Sequence, residues 1–174
     1  YDTIWSSPAL GDLDGDGALD VVIGVDAYFE PAYGTLDGGY VYALRGDGSF
    51  LPGWPQFQDE IVMSAPALGD IDNDGRLEVI VGSGDFYSNL GRDVGKYVSA
   101  WNHDGALLWR HPLPDQAPGS PALGDLNADG ILDVVIGAQD KRIYALNGPN
   151  GAQIWATEPR DIFNQAYALG SPIL

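Results

Sequence analysis

One segment of this sequence recurs three times. It reads SSPALGDLDGDGALDVVIG from residue 6, SAPALGDIDNDGRLEVIVG from residue 64 and SPALGDLNADGILDVVIG from residue 120. The first aspartates after ALG are Asp12, Asp70 and Asp125, which are 58 and 55 residues apart. A period of this length is typical of solenoids, propellers and arrays in which each repeat packs on its neighbours. The chain is therefore predicted to fold as a row of similar units.

Each unit is predicted to form four short strands. The first strand ends at the AL of ALG, and the second is the apolar run VVIG or VIVG. These runs lack an alternation of apolar and polar residues, which indicates strands that are buried on both faces. The third and fourth strands flank a glycine-rich turn in the segments GYVYALRGDGSFLPGW, KYVSAWNHDGALLW and RIYALNGPNGAQIW, and the fourth strand carries Trp54, Trp109 or Trp155.

The strand pattern predicts an all-β chain of β-propeller blades. No stretch shows an amphipathic helical period with caps, and repeated four-stranded antiparallel sheets are the units of a propeller. The predicted blades are residues 1–58, 59–113 and 114–160, and residues 161–174 are predicted to be the first strand of another blade. In that last segment SPIL at 171–174 aligns with SPAL at 7–10.

The loop after each first strand places oxygen-bearing residues at alternate positions. Carboxylates so close together resist ionising unless a cation lies between them. Calcium takes six to eight oxygen ligands at roughly 2.3–2.6 Å, and Gly17, Gly75 or Gly130 suits the sharp turn that brings them together. We predict about three Ca²⁺ ions, one per repeat. The predicted ligands are Asp12, Asp14, Asp16, the carbonyl of Ala18 and Asp20 in loop 1; Asp70, Asp72, Asp74, the carbonyl of Arg76 and Glu78 in loop 2; and Asp125, Asn127, Asp129, the carbonyl of Ile131 and Asp133 in loop 3.

Two other interpretations of these loops are less consistent with the residues. An EF-hand loop needs a bidentate glutamate at its twelfth position, where this chain has Ile23, Val81 and Ile136, and its flanks must be helices. Plain Asp/Gly turns are common between strands. They do not require an oxygen ligand at each of the same positions in all three copies.

The loop and its flanks resemble a known repeat family. The pattern DxDxDGxxD, preceded by ALGD and followed by an apolar VVIG, is similar to the FG-GAP or VCBS repeat of integrin α subunits and many microbial surface proteins. The resemblance covers essentially the whole chain. It implies a calcium-binding β-propeller in which each loop joins the first two strands of a blade and binds the ion through the residues named above. Asn127 departs from the pattern, and we expect the third loop to bind more weakly.

A second, weaker resemblance concerns the tryptophans. YALNGPNGAQIW is similar to the repeat of quinone-dependent alcohol dehydrogenases, in which tryptophans dock one blade onto the next. Packing of a large aromatic side chain between sheets explains the same residues without a cofactor. We therefore expect the tryptophans to be core residues.

Composition restricts the possible partners and location. The net charge of −17 would fall to −11 with three Ca²⁺ bound, and either charge argues against nucleic acid as a ligand. The chain has no cysteine, so no disulfides hold the fold, and it has no apolar run long enough for a membrane span. It starts at Tyr1 without a charged and apolar leader, so we expect a processed product or an excerpt. Weak calcium sites stay filled at millimolar extracellular calcium. An extracellular or cell-surface location is therefore expected.

Catalytic motifs are not evident. His103 and His111 are the only histidines, and the chain has no GxSxG, HExxH or phosphate-binding glycine loop. The clustered acids could in principle act as a glycosidase pair, but cation binding already explains them. We therefore predict a non-enzymatic module, with a fragment of a secreted hydrolase, lyase or quinone-type enzyme as an alternative.

The most variable parts of the repeats are the loops between the second and third strands. They span 25–39 and 83–96 but only 138–142 in the third repeat. Long loops on a rigid scaffold often bind partners, so a protein or glycan ligand is expected there. The aromatic residues of these loops, which could alternatively pack beneath them, are Tyr28, Phe29, Tyr33, Phe86 and Tyr87. The sequence predicts an adhesion or scaffold unit, or alternatively a subunit of a filament or of an oligomeric ring.

Overall fold

The computed structural model describes residues 3–27, 37–84 and 86–159. For Ser88 and Asn89 it describes the backbone only. Twelve strands and one helical turn lie in these ranges. The strands are β1 Ala9–Gly11, β2 Asp20–Ala27, β3 Gly38–Leu44, β4 Gln56–Gln58, β5 Ala67–Gly69, β6 Glu78–Gly82, β7 Tyr97–Trp101, β8 Leu107–Pro112, β9 Ala122–Gly124, β10 Asp133–Gly137, β11 Ile143–Leu146 and β12 Gln153–Thr157, and the turn is α1 Phe86–Asn89.

The strands form three four-stranded antiparallel sheets, each with its strands in chain order. We call them blade 1 (β1–β4), blade 2 (β5–β8) and blade 3 (β9–β12). The all-β prediction of three four-stranded propeller blades is confirmed, apart from the single turn α1 within the 83–96 loop. The strand predicted within 161–174 lies outside the described residues.

Equivalent strands pair in the same register in each blade. Val22 pairs with Ala43 in blade 1, Ile80 with Ala100 in blade 2, and Val135 with Ala145 in blade 3. The central strands β6 and β10 are buried at every residue, as their uninterrupted apolar sequence predicts. Strand β2 instead alternates between buried and half-buried residues up to Asp26. One face of blade 1 is therefore less covered than the corresponding faces of blades 2 and 3.

The core consists of two layers, each between two neighbouring blades. The layer between blades 1 and 2 contains Val22, Val41, Trp54, Val79 and Trp101, with other apolar residues around them. A second layer, built around Ile80, Trp109, Val134, Ile136 and Tyr144, joins blades 2 and 3. Burial of apolar surface between sheets at roughly 25 cal/mol per Å² is the main stabilising term of such a stack.

The position of Trp54 differs from the prediction. Trp109 and Trp155 lie on the fourth strands β8 and β12, but β4 begins only at Gln56, after Trp54 and Pro55. Pro55 has no N–H to donate to a strand ladder, so regular pairing starts beyond it. Trp54 is nevertheless 6% exposed and packs in the layer between blades 1 and 2.

Candidate metal centre

The three acidic loops join the first and second strands of their blades, between β1 and β2, β5 and β6, and β9 and β10. Each loop closes around its first aspartate. In loop 1 the carboxylate of Asp12 accepts hydrogen bonds from the backbone N–H groups of Gly15, Asp16 and Gly17 at 2.8, 3.1 and 3.0 Å. Asp70 and Asp125 accept bonds from the fifth and sixth N–H groups of their own loops at 2.9–3.2 Å. The same fold of the loop thus occurs three times.

The fifth residue of each loop caps the turn that follows it. The carboxylates of Asp16, Asp74 and Asp129 accept a hydrogen bond from the N–H two residues later at 2.7–2.9 Å. One oxygen of each of these three carboxylates is thus hydrogen-bonded to the backbone of its own loop. Their remaining oxygen is available to a ligand, since a carboxylate has about four lone-pair sites.

The last residue of each loop is a buried carboxylate. Asp20, Glu78 and Asp133 are at most 1% exposed. One oxygen of each accepts a hydrogen bond from the N–H of the second loop residue, which is Leu13, Ile71 or Leu126, at 2.9–3.1 Å. The first strand and the second strand of each blade are thereby tied together across the loop.

Two of these closing carboxylates have an oxygen that is buried without a hydrogen-bond partner. The atoms are Oε1 of Glu78 and Oδ1 of Asp133. A buried anionic oxygen without a donor or a cation is strongly unfavourable. Burial, together with the nearby carboxylates of Asp72, Asp74 and Asp70, raises the pKa of Glu78 to about 7, although the hydrogen bond from the Ile71 N–H opposes the shift. Both atoms fit a site whose remaining ligand is a cation.

The structure brings most of the predicted acidic ligands together. Carboxylate oxygens of Asp12, Asp14 and Asp20 lie within 4.8 Å of one another. The same holds for Asp70, Asp72 and Glu78. Two oxygens bound to one calcium at roughly 2.4 Å can be at most about 4.8 Å apart, so both groups have a suitable spacing.

The remaining predicted ligands lie in the same loops but outside these groups of three. Asp16 and Asp74 are the fifth residues, and Ala18 and Arg76 were predicted to contribute only carbonyls. In loop 3 the oxygens of Asp125 and Asn127 both accept from the Asp129 N–H, so the amide takes the place of the third-position carboxylate. The carbonyl of Ile131 stands at the seventh position there. In loops 1 and 2 the group of three acids consists of the first, third and ninth residues. Loop 3 has Asn127 as its third residue, and within the described part of the chain it has no such group.

Two features of the loops were not predicted from the sequence. The fourth residue of each loop has a positive φ, of 77° at Gly15, 64° at Asn73 and 60° at Ala128. Glycine and asparagine at this position are a recognisable signal for such a conformation, but Ala128 is not.

The second unpredicted feature is a pair of arginines at loop 1. Arg45, from the turn after β3, forms an ion pair of 3.0 Å with Asp14. Arg76 of loop 2 reaches the neighbouring blade, where its Nη1 donates to the carbonyl of Asp14 at 3.1 Å. Nothing in the local sequence indicates these contacts, because they depend on the packing of separate segments.

Fold and loops together define a class, the β-propeller repeat proteins with an oxygen-lined acidic loop in each blade. The family model described as FG-GAP repeat matches residues 4–44 and 117–153. Each matched segment contains one of the acidic loops, so the match agrees with the resemblance to FG-GAP repeats that the loop motif indicates.

Curated relatives include integrin α chains. Integrin alpha-8 of Gallus gallus is 29% identical over 186 residues, which cover 93% of this chain and 17% of that protein. Integrin alpha pat-2 of Caenorhabditis elegans is 28% identical over 179 residues, covering 87% of this chain and 14% of the relative. The chain thus spans less than a fifth of the length of these relatives.

Solved structures share the fold at low sequence identity. Quinohemoprotein alcohol dehydrogenase from Comamonas testosteroni aligns with a TM-score of 0.63 and 16% identity over 99% of this chain and 31% of that chain. BamB from Moraxella catarrhalis aligns with a TM-score of 0.51 and 15% identity over 92% and 38%. At these identities the likeness shows the propeller fold alone.

Proposed function

We propose that this chain is a calcium-stabilised, non-catalytic β-propeller module of an extracellular or cell-surface adhesion or scaffold protein. The observation that carries the calcium assignment is the oxygen Oε1 of Glu78, which is buried without a partner beside the carboxylates of Asp70 and Asp72. A divalent cation would satisfy that oxygen and offset the repulsion among three acids.

The proposed role of calcium is structural. Each loop lies between two strands of one blade, and its closing carboxylate is hydrogen-bonded across the loop. Without the ion, several carboxylates repel one another at the point where the first two strands meet. Calcium binding is therefore coupled to folding of the blade.

Partners are proposed to bind at the opposite end of the blades. The acidic loops and the hairpin turns between third and fourth strands lie at one end, because consecutive strands are antiparallel. The second strands end and the third strands begin at the other end, where the described parts of the 25–39 and 83–96 loops lie. We assign them a protein or glycan partner, with Phe86, which is 44% exposed, as an accessible aromatic residue.

The other aromatic residues of these loops differ in their environment. Tyr87 is 2% exposed, and its hydroxyl donates to the carbonyl of Ala27 at 2.8 Å. Tyr87 is thus buried against the end of β2 in blade 1. Tyr28, Phe29 and Tyr33 lie outside the described residues.

The proposed location is supported by the relatives and the calcium sites, and the proposed non-catalytic role by the surroundings of the two histidines. The curated relatives are integrin α chains, and weak calcium sites suit millimolar extracellular calcium. Among the described residues no helix is long and apolar enough to cross a membrane. His111 is half-buried on β8, where burial lowers its pKa, and the indole of Trp54 hydrogen-bonds the carbonyl of His103. Both histidines thus have structural surroundings.

The calcium assignment is tested by thermal unfolding with excess EGTA and with millimolar Ca²⁺. Calcium should raise the midpoint markedly, and the increase should be reduced by Asp14→Ala and Asp72→Ala. Asp47→Ala is the control, because Asp47 lies in an exposed hairpin turn and accepts its hydrogen bonds from Ser49 of the same turn. Equal unfolding curves in EGTA and calcium would overturn the assignment.

The partner assignment is tested separately. The calcium-loaded chain is applied to arrays of extracellular glycans and matrix proteins, alongside a Phe86→Ser variant and a Leu107→Ser variant. Leu107 is 52% exposed on β8 and serves as a matched apolar control. Binding that is lost in Phe86→Ser and kept in Leu107→Ser supports the loop surface. Equal binding by both variants would contradict it.

A further inference from the structure

The three acidic loops repeat one structure, but the positive charges beside them are unevenly distributed. At loop 1 the guanidinium of Arg45 pairs with the carboxylate of Asp14, with 3.0 Å between Nη2 and Oδ2. Among the ion pairs of residues 3–27, 37–84 and 86–159, no other one involves a carboxylate of an acidic loop. Within these ranges loop 1 therefore has a paired counter-charge that loops 2 and 3 do not have.

The alignment of the repeats explains why the pair occurs at one loop. Arg45 directly follows β3, and the residues that directly follow the equivalent strands β7 and β11 are Asn102 and Asn147. The pairing registers of the three blades agree with this alignment. Asparagine is shorter than arginine and uncharged, so it supplies no cation to its loop.

A second arginine adds to the positive charge at loop 1. Arg76, the seventh residue of loop 2, extends to blade 1 and donates from Nη1 to the carbonyl of Asp14 at 3.1 Å. It passes beside Gly15, where an added Cβ would lie 3.4 Å from the same nitrogen. The equivalent residue of loop 3 is Ile131, which has no charge to bring to loop 2. Both arginines thus contact the third residue of loop 1.

Loops 1 and 2 are otherwise a closely matched pair. In each loop the third residue accepts a hydrogen bond from the N–H of the fifth, at 3.3 Å in loop 1 and 3.1 Å in loop 2. Among the described residues, a buried carboxylate oxygen without a partner occurs in loops 2 and 3 but not in loop 1. Each of loops 1 and 2 has four acids, which are Asp12, Asp14, Asp16 and Asp20 in loop 1 and Asp70, Asp72, Asp74 and the longer Glu78 in loop 2.

We propose that Arg45 is an internal competitor of calcium at loop 1, so that loop 1 binds the ion more weakly than loop 2 does. This role of Arg45 rests on the proposed calcium function, because it concerns the affinity of the same loops. Arg45 holds Oδ2 of Asp14, a predicted calcium ligand, and leaves this oxygen when the ion binds. The guanidinium and a divalent cation repel each other, and Arg76 adds to this repulsion.

Arg45 can leave Asp14 without unfolding of its turn. Its Nη1 also donates to the carbonyl of Phe50 at 3.3 Å, and its backbone forms hydrogen bonds of 2.8 Å with Gly48 and Ser49. The side chains of Arg45 and Asp14 are 36% and 24% exposed, so water can solvate the released guanidinium. The exchange therefore requires only the rotation of a side chain.

Heteronuclear NMR during a calcium titration follows the two loops separately. The backbone amides of Gly17 and Gly75 donate to the first aspartates of loops 1 and 2, and the Nε–H of Arg45 reports on the ion pair. The Gly17 signal should shift at roughly three- to tenfold higher free calcium than the Gly75 signal, as expected for one added positive charge near a divalent ion in salt solution. The Arg45 signal should shift together with that of Gly17.

Two reciprocal substitutions test the role of the arginine. Arg45→Asn gives blade 1 the residue of the other two blades, and it should lower the Gly17 midpoint roughly three- to tenfold while leaving that of Gly75 unchanged. Asn102→Arg should raise the Gly75 midpoint. Arg142→Gln is the control, because it removes a positive charge directly before β11, at the end of blade 3 away from the acidic loops. It should move neither midpoint.

The thermal shift by calcium is recorded on the same samples, so that two kinds of failure are distinguished. Equal midpoints for Gly17 and Gly75 that Arg45→Asn leaves unchanged, while calcium still raises the unfolding temperature, would remove the competition and leave the calcium function intact. The absence of any calcium-dependent change at either loop and in the unfolding temperature would remove both.

Two further results would also overturn the proposal. A higher Gly17 midpoint in Arg45→Asn would mean that the arginine assists binding of the ion. If Arg45→Asn does not fold, Asn102→Arg decides the question at loop 2, where an unchanged Gly75 midpoint would show that an arginine at this position does not compete with calcium.

Discussion

The carboxylate of Glu78 accepts a hydrogen bond from the backbone N–H of Ile71 at 2.9 Å, while its other oxygen is buried without a partner. We expect Glu78→Gln to act in opposite directions with and without calcium. In calcium the variant loses an anionic ligand and should unfold more easily than the parent chain. In EGTA at pH 8 it removes a buried charge beside Asp70 and Asp72, and the free energy of unfolding should rise by roughly 1–3 kcal/mol.

Urea denaturation in both buffers measures this reversal of sign. Asp47→Asn is the control, because it makes the same acid-to-amide change in an exposed turn. A Glu78→Gln variant that is less stable than the parent in EGTA as well as in calcium would show that the carboxylate is not strained without the ion.

The calcium-free protein should also lose stability as the pH rises. The pKa of Glu78 is about 7 in the folded chain and 4.5 in its usual environment. Between these values the folded chain holds a proton that the unfolded chain has released, so the free energy of unfolding falls as the pH rises through this window. The contribution is fully present below about pH 4.5 and is lost above about pH 7. Urea denaturation in EGTA between pH 5 and pH 8 should show a larger fall of stability with pH in the parent chain than in Glu78→Gln, since His111 and the other titrating groups are the same in both proteins.

The repeated motif was sufficient to predict much of the fold. The order of ALG, acidic loop, apolar run and glycine-rich turn predicts four strands in each repeat, and hence twelve strands in three sheets, because the same segments recur at the same spacing. Strand ends were less predictable, as Trp54 shows. The covered and uncovered faces of β2 could not be predicted, because its sequence matches that of β10 and only the neighbouring blades differ.

The loop ligands could be predicted because they are close together in the sequence, and the arginine contacts could not because the arginines are distant in the sequence. The oxygen ligands occur at fixed intervals within nine residues, so a local pattern is sufficient to find them. Arg45 is 31 residues from Asp14 and Arg76 is 62 residues from it. Their contacts depend on how the third strand and the next blade pack, which the local sequence pattern does not indicate.

Loop 3 should bind calcium more weakly than loop 2, and Asn127→Asp should strengthen it. Asn127 stands where loops 1 and 2 have Asp14 and Asp72, so the change adds a negative ligand to the site. Isothermal titration should show a lower dissociation constant for one site, while the variant is destabilised in EGTA by the extra repulsion. Asn150→Asp adds the same charge in a hairpin turn, where Asn150 caps the N–H of Ala152, and should change neither property. Equal calcium affinity of Asn127→Asp and the parent would exclude residue 127 as a ligand.

Replacing Ala128 by glycine should stabilise the protein. Its φ of 60° lies in the left-handed region, which costs a residue with a Cβ about 1–2 kcal/mol, and the equivalent residue of loop 1 is Gly15. Ala128→Gly should therefore raise the free energy of unfolding by up to about 1 kcal/mol after the added freedom of the unfolded chain is subtracted. Ala106→Gly, at an exposed alanine in the turn before β8, should be neutral or destabilising. If both changes lower stability equally, Ala128 does not carry this strain.

Trp54→Phe should weaken the packing of blade 1 on blade 2. The substitution keeps an aromatic ring in the layer between the blades but removes the N–H that donates to His103 O at 2.9 Å, leaving that carbonyl without this donor. We expect a loss of roughly 1–2 kcal/mol in calcium. Trp155→Phe is the matched control, because Trp155 is 40% exposed, and at low protein concentration it should cost less than about 0.5 kcal/mol. Urea denaturation of the two variants gives the comparison, and equal losses would mean that the indole hydrogen bond between blades contributes nothing measurable.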